Sequence, residues 1–113
     1  MYSFDPERHE EALARIRSFV ADRGWEVFHS PENLAKSVSI EAGELLECFQ
    51  WDGAHFKEED VKDELADVLV YCIDMANAFG WDIDELILRK MVKNEQKYPV
   101  EKAKGNNKKY TEL

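Results

Sequence analysis

Apolar residues recur at intervals of three and four positions in four separate stretches of the chain, which is the pattern of an amphipathic α-helix. The third stretch shows the pattern most clearly, because its apolar stripe begins at Val61 and continues at helical spacing to Phe79. No stretch has the character of a β-strand. The pattern therefore predicts four helices and no sheet, with these approximate bounds: Pro6 to Arg23, Pro31 to Trp51, Lys57 to Phe79, and Ile83 to Lys97.

The residues that flank these stretches are typical of helix ends. Asp5, Ser30 and Asp82 precede the first, second and fourth stretches as cap residues. A glycine follows the first and the third stretch, and a proline closes the fourth. The tail, about residues 100–113, is expected to be irregular. Short connections place consecutive helices side by side, so the predicted fold is an all-α, four-helix bundle-like single domain over residues 1–113.

Two pairs of carboxylates lie on the apolar stripes of successive helices. Glu41 and Glu44 in the second helix, like Glu64 and Asp67 in the third, are three residues apart and share one helix face. Four carboxylates turned toward an interior are costly unless a cation neutralises them. The lysines of these helices project away from both faces, so a hard divalent cation with oxygen ligands is the better candidate. One such pair is usually a solvated helix face, but two pairs on successive helices favour a site.

Two further features lie near these acids. Gly43 stands in the middle of the second helix, where glycine costs about 1 kcal/mol relative to alanine, and it suggests that another backbone or a ligand approaches closely. Trp25 and Trp51 stand beside helix ends near the proposed site. They are either core aromatics or plates against which a planar base stacks.

Other site chemistries find little support. Glu26-x-x-His29 is a single motif of the di-iron type, whereas a di-iron bundle needs two such motifs on separate helices. His29 is therefore interpreted as a capping or hydrogen-bonding residue. The chain has no cysteine–histidine zinc spacing and no glycine-rich phosphate loop. Any chemistry is thus expected to depend on the carboxylates and a metal ion.

The composition narrows the class of protein. With 113 residues, of which 44% are hydrophobic and 35% charged, the chain fits one soluble globular domain. A net charge of −9 argues against a nucleic-acid polymer as partner, and no apolar run is long enough to span a membrane. Cys48 and Cys72 lie in apolar helical patterns, and the N-terminus has no signal-peptide pattern. Buried free thiols and a cytoplasmic location are therefore expected.

Charge is unevenly distributed along the chain. Lysine and arginine crowd the C-terminal quarter, whereas the acid pairs lie in the middle. An acidic metal centre combined with a basic segment suits a small phosphorylated ligand that binds with its cation. A solvated helix face followed by a basic tail is an equally good explanation of this composition.

Taken together, these residues resemble a known family. The chain carries Glu41-Ala42-Gly43-Glu44 and Glu64-Leu65-Ala66-Asp67, which is similar to the Glu-x-x-Glu and Glu-x-x-Asp signature of the MazG-like, all-α nucleotide pyrophosphohydrolases. Further stretches resemble the dCTP pyrophosphatase subgroup, and they are residues 23–29 with Asn33-Leu34, 43–51, 90–100 and 109–111. The resemblance spans nearly the whole chain.

The resemblance implies an enzyme that hydrolyses a nucleoside triphosphate between its α and β phosphates, giving the monophosphate and pyrophosphate. It implies Mg²⁺ as cofactor, with Mn²⁺ as a substitute, and four catalytic metal ligands: Glu41, Glu44, Glu64 and Asp67. Carboxylates suit this task, because they bind magnesium ions that bridge phosphate oxygens and activate water. An acid that the metal does not fully engage is expected to orient the attacking water; Glu44 is a candidate, and the choice among the four acids is left open.

The resemblance also assigns substrate contacts by position. In relatives, two tryptophans lie near the base, a tyrosine lies near the sugar or base, and a Lys-x-x-x-Asn-x-x-basic pattern contacts phosphates. The matching residues here are Trp25, Trp51, Tyr71, Lys90, Asn94 and Lys97. Where a vertebrate-type relative has a base-pocket histidine, this chain has Ile16, so the preferred base is left open.

Two functions remain in consideration. The leading one is Mg²⁺-dependent hydrolysis of nucleoside triphosphates, with dCTP or modified dNTPs as substrates, in sanitation of the nucleotide pool. The alternative is a non-catalytic acidic helical interaction module or a structural divalent-metal-binding protein. Helices this hydrophobic in so short a chain leave apolar surface for a partner, so a homo-oligomer, either a dimer or a tetramer, is expected.

Overall fold

The computed structural model describes residues 3–112, so the ends of the predicted domain, residues 1, 2 and 113, lie outside the described part. The described chain is all-α, as predicted, and contains no strand. Its five α-helices are α1 (Pro6–Asp22), α2 (Pro31–Glu47), α3 (Glu58–Phe79), α4 (Ile83–Lys97) and α5 (Val100–Ala103). Two short 3-10 helices, Trp25–Phe28 and Tyr110–Glu112, complete the described elements.

The chain folds as two compact units, one up to Gly80 and one from Trp81 onward. In the first unit α2 packs extensively against α3, and α1 contacts both α3 and the 3-10 helix that follows it. The pairing of α2 with α3 is the arrangement that the short predicted connections required. It brings the two acid-bearing helices together inside one unit.

The predicted helix starts are confirmed by their capping geometry. Asp5, Ser30 and Asp82 each accept a hydrogen bond from a backbone N–H of the first turn that follows them. For α2, the Asn33 backbone N–H donates to Ser30 Oγ at 3.2 Å. These bonds satisfy N–H groups that have no partner within the helix, and each such cap contributes about 1 kcal/mol.

Glycine ends α1 and α3, also as predicted. Gly24 and Gly80 have φ values of +62° and +73°, in the left-handed region that residues with a Cβ seldom adopt. At Gly80 the backbone N–H donates to carbonyl groups of the last helical turn, which would otherwise lack partners. The ends of both helices are therefore encoded in single residues.

The predicted end of α2 at about Trp51 is wrong, because the helix stops at Glu47. The next three backbone N–H groups, in residues 48–50, donate to carbonyls three residues back, so the chain tightens and turns away. The rings of Phe49 and Phe56 then pack with their centroids 4.8 Å apart, and this contact closes the loop on itself. Trp51 consequently lies in the loop and not in the helix.

The tail from residue 100 onward is more ordered than the expected irregular segment. Pro99 has φ −60° and ψ 143°, which interrupts α4, and its carbonyl accepts hydrogen bonds from Lys102 and Ala103 to start the short helix α5. Further on, the rings of Tyr98 and Tyr110 meet edge to face at 6.3 Å. Proline ended one helix as predicted, but it also provided the first carbonyl of another.

Few side chains of the described residues are buried. Val20, Leu34 and Ala76 are the buried apolar side chains, and Asp74 is the buried charged one. Cys48 and Cys72 are free thiols, as predicted, but they are half-buried and not fully enclosed. Every described helix is too short or too polar to cross a bilayer.

Candidate active site

Three carboxylates from two helices converge in the first unit. Glu41 of α2 and Glu64 and Asp67 of α3 each place a carboxylate oxygen so that all three oxygens lie within 4.8 Å of one another. The spacing of three residues puts Glu64 and Asp67 on one face of α3, and the packing of α2 on α3 brings Glu41 opposite them. The structure thus brings together acids that the sequence placed on separate helices.

Glu44, the fourth predicted ligand, lies beside this cluster and is more exposed than Glu41 or Glu64. The pKa of Glu41 is raised, chiefly by burial and then by its hydrogen bond and charge interaction with Glu44. The pKa of Glu64 is raised in the same way, by burial first and then by the charge of Glu44. Glu44 therefore contacts both helices of the cluster, and the four acids act as one electrostatic unit.

Two oxygens of the cluster have no partner. Oε2 of Glu41 and Oε2 of Glu64 are buried and accept no hydrogen bond from any described residue. A buried polar atom that lacks a partner costs free energy, more so when it carries charge. The nearby lysines do not help, because Lys36 pairs with Glu32 at 3.2 Å and Lys62 pairs with Glu58 at 3.3 Å.

This donor set fits a hard divalent cation. Among residues 3–80, no lysine or arginine forms an ion pair with the four acids. A cation bound by oxygens of Glu41, Glu64 and Asp67 would neutralise their charge and occupy the two buried oxygens that lack hydrogen bonds. Magnesium and similar ions prefer carboxylate oxygens of this kind. The fit rests on the unpartnered oxygens and not on the presence of acids alone.

Gly43 lies between the acids Glu41 and Glu44 on α2, and its surroundings are open. A Cβ built at Gly43 would meet no atom of this chain within 4 Å. Within the described chain no backbone therefore approaches Gly43 closely. Close approach by a ligand or by the backbone of another chain stays a prediction.

A cavity of about 440 Å³ begins at the acid cluster. Asp67 of the cluster lines it together with mainly apolar and aromatic side chains of α1, α3 and the segment between α1 and α2. Those further lining residues are Arg15, Ile16, Phe19, Val20, Trp25, His29, Val70, Tyr71 and Asp74. Trp25 stands edge to face with Phe19, at 5.6 Å between ring centroids and 80° between ring planes. This volume and this lining suit a planar organic ligand.

Tyr71 connects the cavity to the acids electrostatically. Its pKa is raised, first by burial and then by the negative charges of Glu41, Asp74 and Asp67. The phenol therefore stays protonated and can donate a hydrogen bond. Trp25 and Tyr71, two of the residues predicted to contact the base or sugar, thus line the same cavity as Asp67, one of the predicted metal ligands.

Sequence reasoning missed Asp74, which lines this cavity as well. Asp74 is 6% exposed, and burial raises its pKa while the charge of the adjacent His29 acts in the opposite direction. The signal was present, because Asp74 lies seven residues after Asp67 and therefore falls on the same face of α3.

The other predicted substrate contacts belong to the loop after α2 and to α4. Trp51 is 90% exposed in the loop after α2 and does not line the cavity. Lys90, Asn94 and Lys97 belong to α4 in the second unit, where the Lys97 ammonium lies 4.9 Å from the ring centroid of Tyr110. Their roles in substrate binding stay predictions.

Two histidines lie in the connecting segments of the first unit. The His29 backbone N–H donates to the Glu26 carbonyl at 3.1 Å and closes the 3-10 helix. His55 Nδ1 and Asp52 Oδ2 form a hydrogen bond of 2.6 Å at the surface of the loop. Neither histidine lies in the acid cluster.

Comparison with known proteins assigns the chain to a family. The model of the MazG-like family matches residues 36–113. The chain is 38% identical to human dCTP pyrophosphatase 1, across 99% of this chain and 72% of the human protein. It is 36% identical to the rat protein of the same name over the same shares.

A solved structure gives the same result. The crystal structure of a pyrophosphatase from Archaeoglobus fulgidus superimposes with a TM-score of 0.71 and 37% sequence identity, covering 88% of this chain and 99% of that chain. The predicted enzyme class, a nucleoside triphosphate pyrophosphohydrolase, is thereby confirmed. The family match includes all four acids, the whole of α3 and the part of α2 from residue 36 onward. The chain belongs to the MazG-like family, in the subgroup of the dCTP pyrophosphatases.

Proposed function

We propose that this protein is a Mg²⁺-dependent pyrophosphohydrolase that acts on dCTP or modified dNTPs and keeps them out of the nucleotide pool. Water adds to the α phosphorus, the bond from that phosphorus to the oxygen bridging to the β phosphate breaks, and the nucleoside monophosphate and pyrophosphate leave. The observation that carries the proposal is the convergence of Glu41, Glu64 and Asp67 within 4.8 Å, with two buried oxygens unpartnered. The cavity that begins at Asp67 accommodates the nucleoside.

The residues of the cluster divide the work. Glu41, Glu64 and Asp67 would hold the cation most directly, since their oxygens converge. A bound divalent cation supplies positive charge for the phosphate oxygens and lowers the pKa of water. Glu44, the one predicted ligand that does not belong to the three converging acids, orients the attacking water and accepts its proton. Its charge interactions with both Glu41 and Glu64 support this position.

The substrate contacts follow from the cavity and from the family pattern. Trp25 and Tyr71 form walls against the base and sugar, which the shared cavity supports. Lys90, Asn94 and Lys97 contact the β and γ phosphates as cationic and amide donors. Trp51 stacks on the base from the loop, and its exposed ring is available for such a contact.

We further propose that the single domain, residues 1–113, works as a homo-oligomer in the cytoplasm. Large apolar side chains on α2 and α3 stay exposed, among them Ile40, Leu46, Leu65 and Leu69. Surfaces of this kind usually meet a partner, and a second copy of the chain is the simplest one. The free thiols Cys48 and Cys72 suit a reducing compartment.

The decisive experiment is product analysis. Pure protein is incubated with Mg²⁺ and a panel of canonical and modified dNTPs and NTPs, and the products are separated by ion exchange. We expect monophosphate and pyrophosphate, with Mn²⁺ able to replace Mg²⁺. Glu41→Gln and Asp67→Asn should each lower turnover by more than about 100-fold, since even outer partners of a metal site contribute up to that factor.

A matched control keeps the experiment specific. Glu10→Gln removes an exposed glutamate of α1 outside the cluster and should leave turnover unchanged. Diphosphate and orthophosphate as products would place the cut at another bond and contradict the proposal. No turnover across the panel would favour the alternative, a non-catalytic helical module that binds a divalent ion structurally.

A further inference from the structure

A buried carboxylate outside the acid cluster faces the proposed nucleotide cavity. Asp74 is 6% exposed and is the one charged side chain that is buried among residues 3–112. No hydrogen bond or ion pair joins Asp74 to a described residue, and its neighbouring titratable groups are His29 and Tyr71. Unlike Oε2 of Glu41 and Oε2 of Glu64, the oxygens of Asp74 are not fully enclosed, so they can accept a hydrogen bond from a ligand that enters the cavity.

The position of Asp74 relative to the cluster matches the shape of a nucleotide. Asp67 and Asp74 both line the cavity, and their spacing of seven positions separates them by about 10.5 Å along the helix axis. If the phosphates bind at the cation near Asp67, the sugar extends along α3 past Tyr71. The base then reaches the turn of α3 that carries Asp74.

The lining around Asp74 is mainly apolar. Ile16, Phe19 and Val20 present only carbon atoms, and Trp25 offers a ring face with one N–H donor. Packing against such walls is sequence-tolerant, because every base has an apolar face. Discrimination among bases therefore depends on polar groups, and an ionised carboxylate accepts hydrogen bonds but cannot donate them. The polar neighbour of Asp74 is His29, and a neutral imidazole has one nitrogen that donates and one that accepts, so it can pair with an amino group or with a carbonyl oxygen.

Bases differ in what they offer such an acceptor. Cytosine presents an exocyclic amino group at the position where uracil and thymine present a carbonyl oxygen. A carboxylate accepts from the amino group and repels the carbonyl oxygen. We propose that Asp74 is a specificity-determining residue, which accepts a hydrogen bond from the exocyclic amino group of the base and so selects cytosine over uracil and thymine. This inference rests on the proposed function, since it takes the cavity as the nucleoside site.

A second cavity shares a wall with the first and supplies the control. It measures about 460 Å³ and has Val20, His29 and Asp74 in common with the nucleotide cavity, but Asp67 does not line it. Asn77 lines the second cavity and not the first. Asn77→Ala therefore alters the second cavity alone, and it tests whether changes in that cavity affect the choice of base.

The experiment compares kcat/KM for dCTP and dUTP in the wild type, Asp74→Asn and Asn77→Ala, at alkaline pH where the carboxylate form is favoured. Asparagine has the same shape but both donates and accepts, so it can pair with the carbonyl of uracil. We expect the wild type to prefer dCTP, and Asp74→Asn to reduce that preference about tenfold, within the range of one base-specific contact. Asn77→Ala should leave the preference unchanged.

Binding of the products without metal gives a second readout. Calorimetry with dCMP and dUMP should show the wild type preferring dCMP and Asp74→Asn losing that preference. A wild type without preference for the cytosine nucleotides, or an unchanged ratio in Asp74→Asn, would overturn the inference while leaving the hydrolytic function intact. A protein that hydrolyses no triphosphate contradicts the proposed function instead, and the dCMP to dUMP ratio then still decides the role of Asp74.

Discussion

Asp67 and Asp74 lie seven residues apart on the same face of α3, and both line one cavity of about 440 Å³. Asp67 belongs to the acid cluster at one end of that face, whereas Asp74 is buried and unpaired at the other. A single rigid helix therefore sets the distance between the metal end and the base end of the proposed site. Under the proposed function the two carboxylates have separate tasks, metal binding by Asp67 and base recognition by Asp74, because their surroundings differ.

Metal addition should stabilise the protein through the cluster. We expect Mg²⁺ or Mn²⁺ to raise the melting temperature of the wild type, because the ion binds the folded state and neutralises the converging acids. Glu41→Gln should abolish this effect and should melt higher than the wild type in the presence of a chelator, since it removes charge repulsion. Differential scanning fluorimetry measures both, and Glu10→Gln is the control. A Glu41→Gln variant that still responds fully to Mg²⁺ would argue against the cluster as the metal centre.

The metal-free protein should lose stability as the pH rises. Burial and Glu44 raise the pKa of Glu41 above its ordinary value of 4.5. The folded state then binds protons more readily than the unfolded state, so this stability is present below 4.5 and is lost as the pH rises through the raised pKa. The stability advantage of Glu41→Gln over the wild type should therefore grow with pH.

Urea unfolding in chelator at a series of pH values measures this difference. Taking the wild type minus Glu41→Gln isolates the contribution of Glu41 from the other titrating groups. A difference that stays constant or shrinks as the pH rises would contradict the raised pKa. With saturating metal the trend should weaken, because the ion holds the carboxylate ionised.

Glu44 should be separable from the other three acids. If Glu44 orients water, Glu44→Gln lowers kcat by about 100-fold or more, as the loss of a general base does. Its affinity for Mn²⁺, measured by calorimetry, should fall much less than that of Glu41→Gln. Equal losses of Mn²⁺ affinity in both variants would instead identify Glu44 as a full metal ligand.

Substitution of Gly43 should change the stability of the protein and its affinity for substrate in opposite directions. Because space around the position is open, Gly43→Ala should stabilise the free protein by about 1 kcal/mol, the difference in helix propensity. If substrate passes close to this turn of α2, the same variant raises KM. Chemical denaturation and steady-state kinetics provide the two numbers. A stabilised variant with unchanged kinetics would show that no ligand approaches Gly43.

Local signals in the sequence predicted the helix starts and most helix ends correctly. Ser30 and Gly80 act through hydrogen bonds and backbone angles within a few residues, so their effect is visible in sequence. The end of α2 was not predicted correctly, because it depends on the contact between Phe49 and Phe56 across a loop. A contact that closes a loop leaves no periodic pattern in the sequence.

The site shows the same division. Glu41 and Glu64 were predictable, because spacing placed them on helix faces and the family signature contains them. Asp74 was not identified, since one carboxylate on an apolar face gains meaning only when the cavity beside it is known. The surroundings of Trp51 likewise depend on a loop whose path the sequence pattern does not determine.

The loop of residues 48–57 joins the two acid-bearing helices but carries none of the four acids. Insertions and deletions in this loop can therefore accumulate in evolution without changing the packing of α2 on α3, because lengthening a surface loop carries only a small entropic penalty. Such changes would nevertheless reposition Trp51, which lies in the loop. If Trp51 stacks on the base as proposed, natural selection can alter which nucleotides the enzyme accepts through this loop while the hydrolytic chemistry is inherited unchanged.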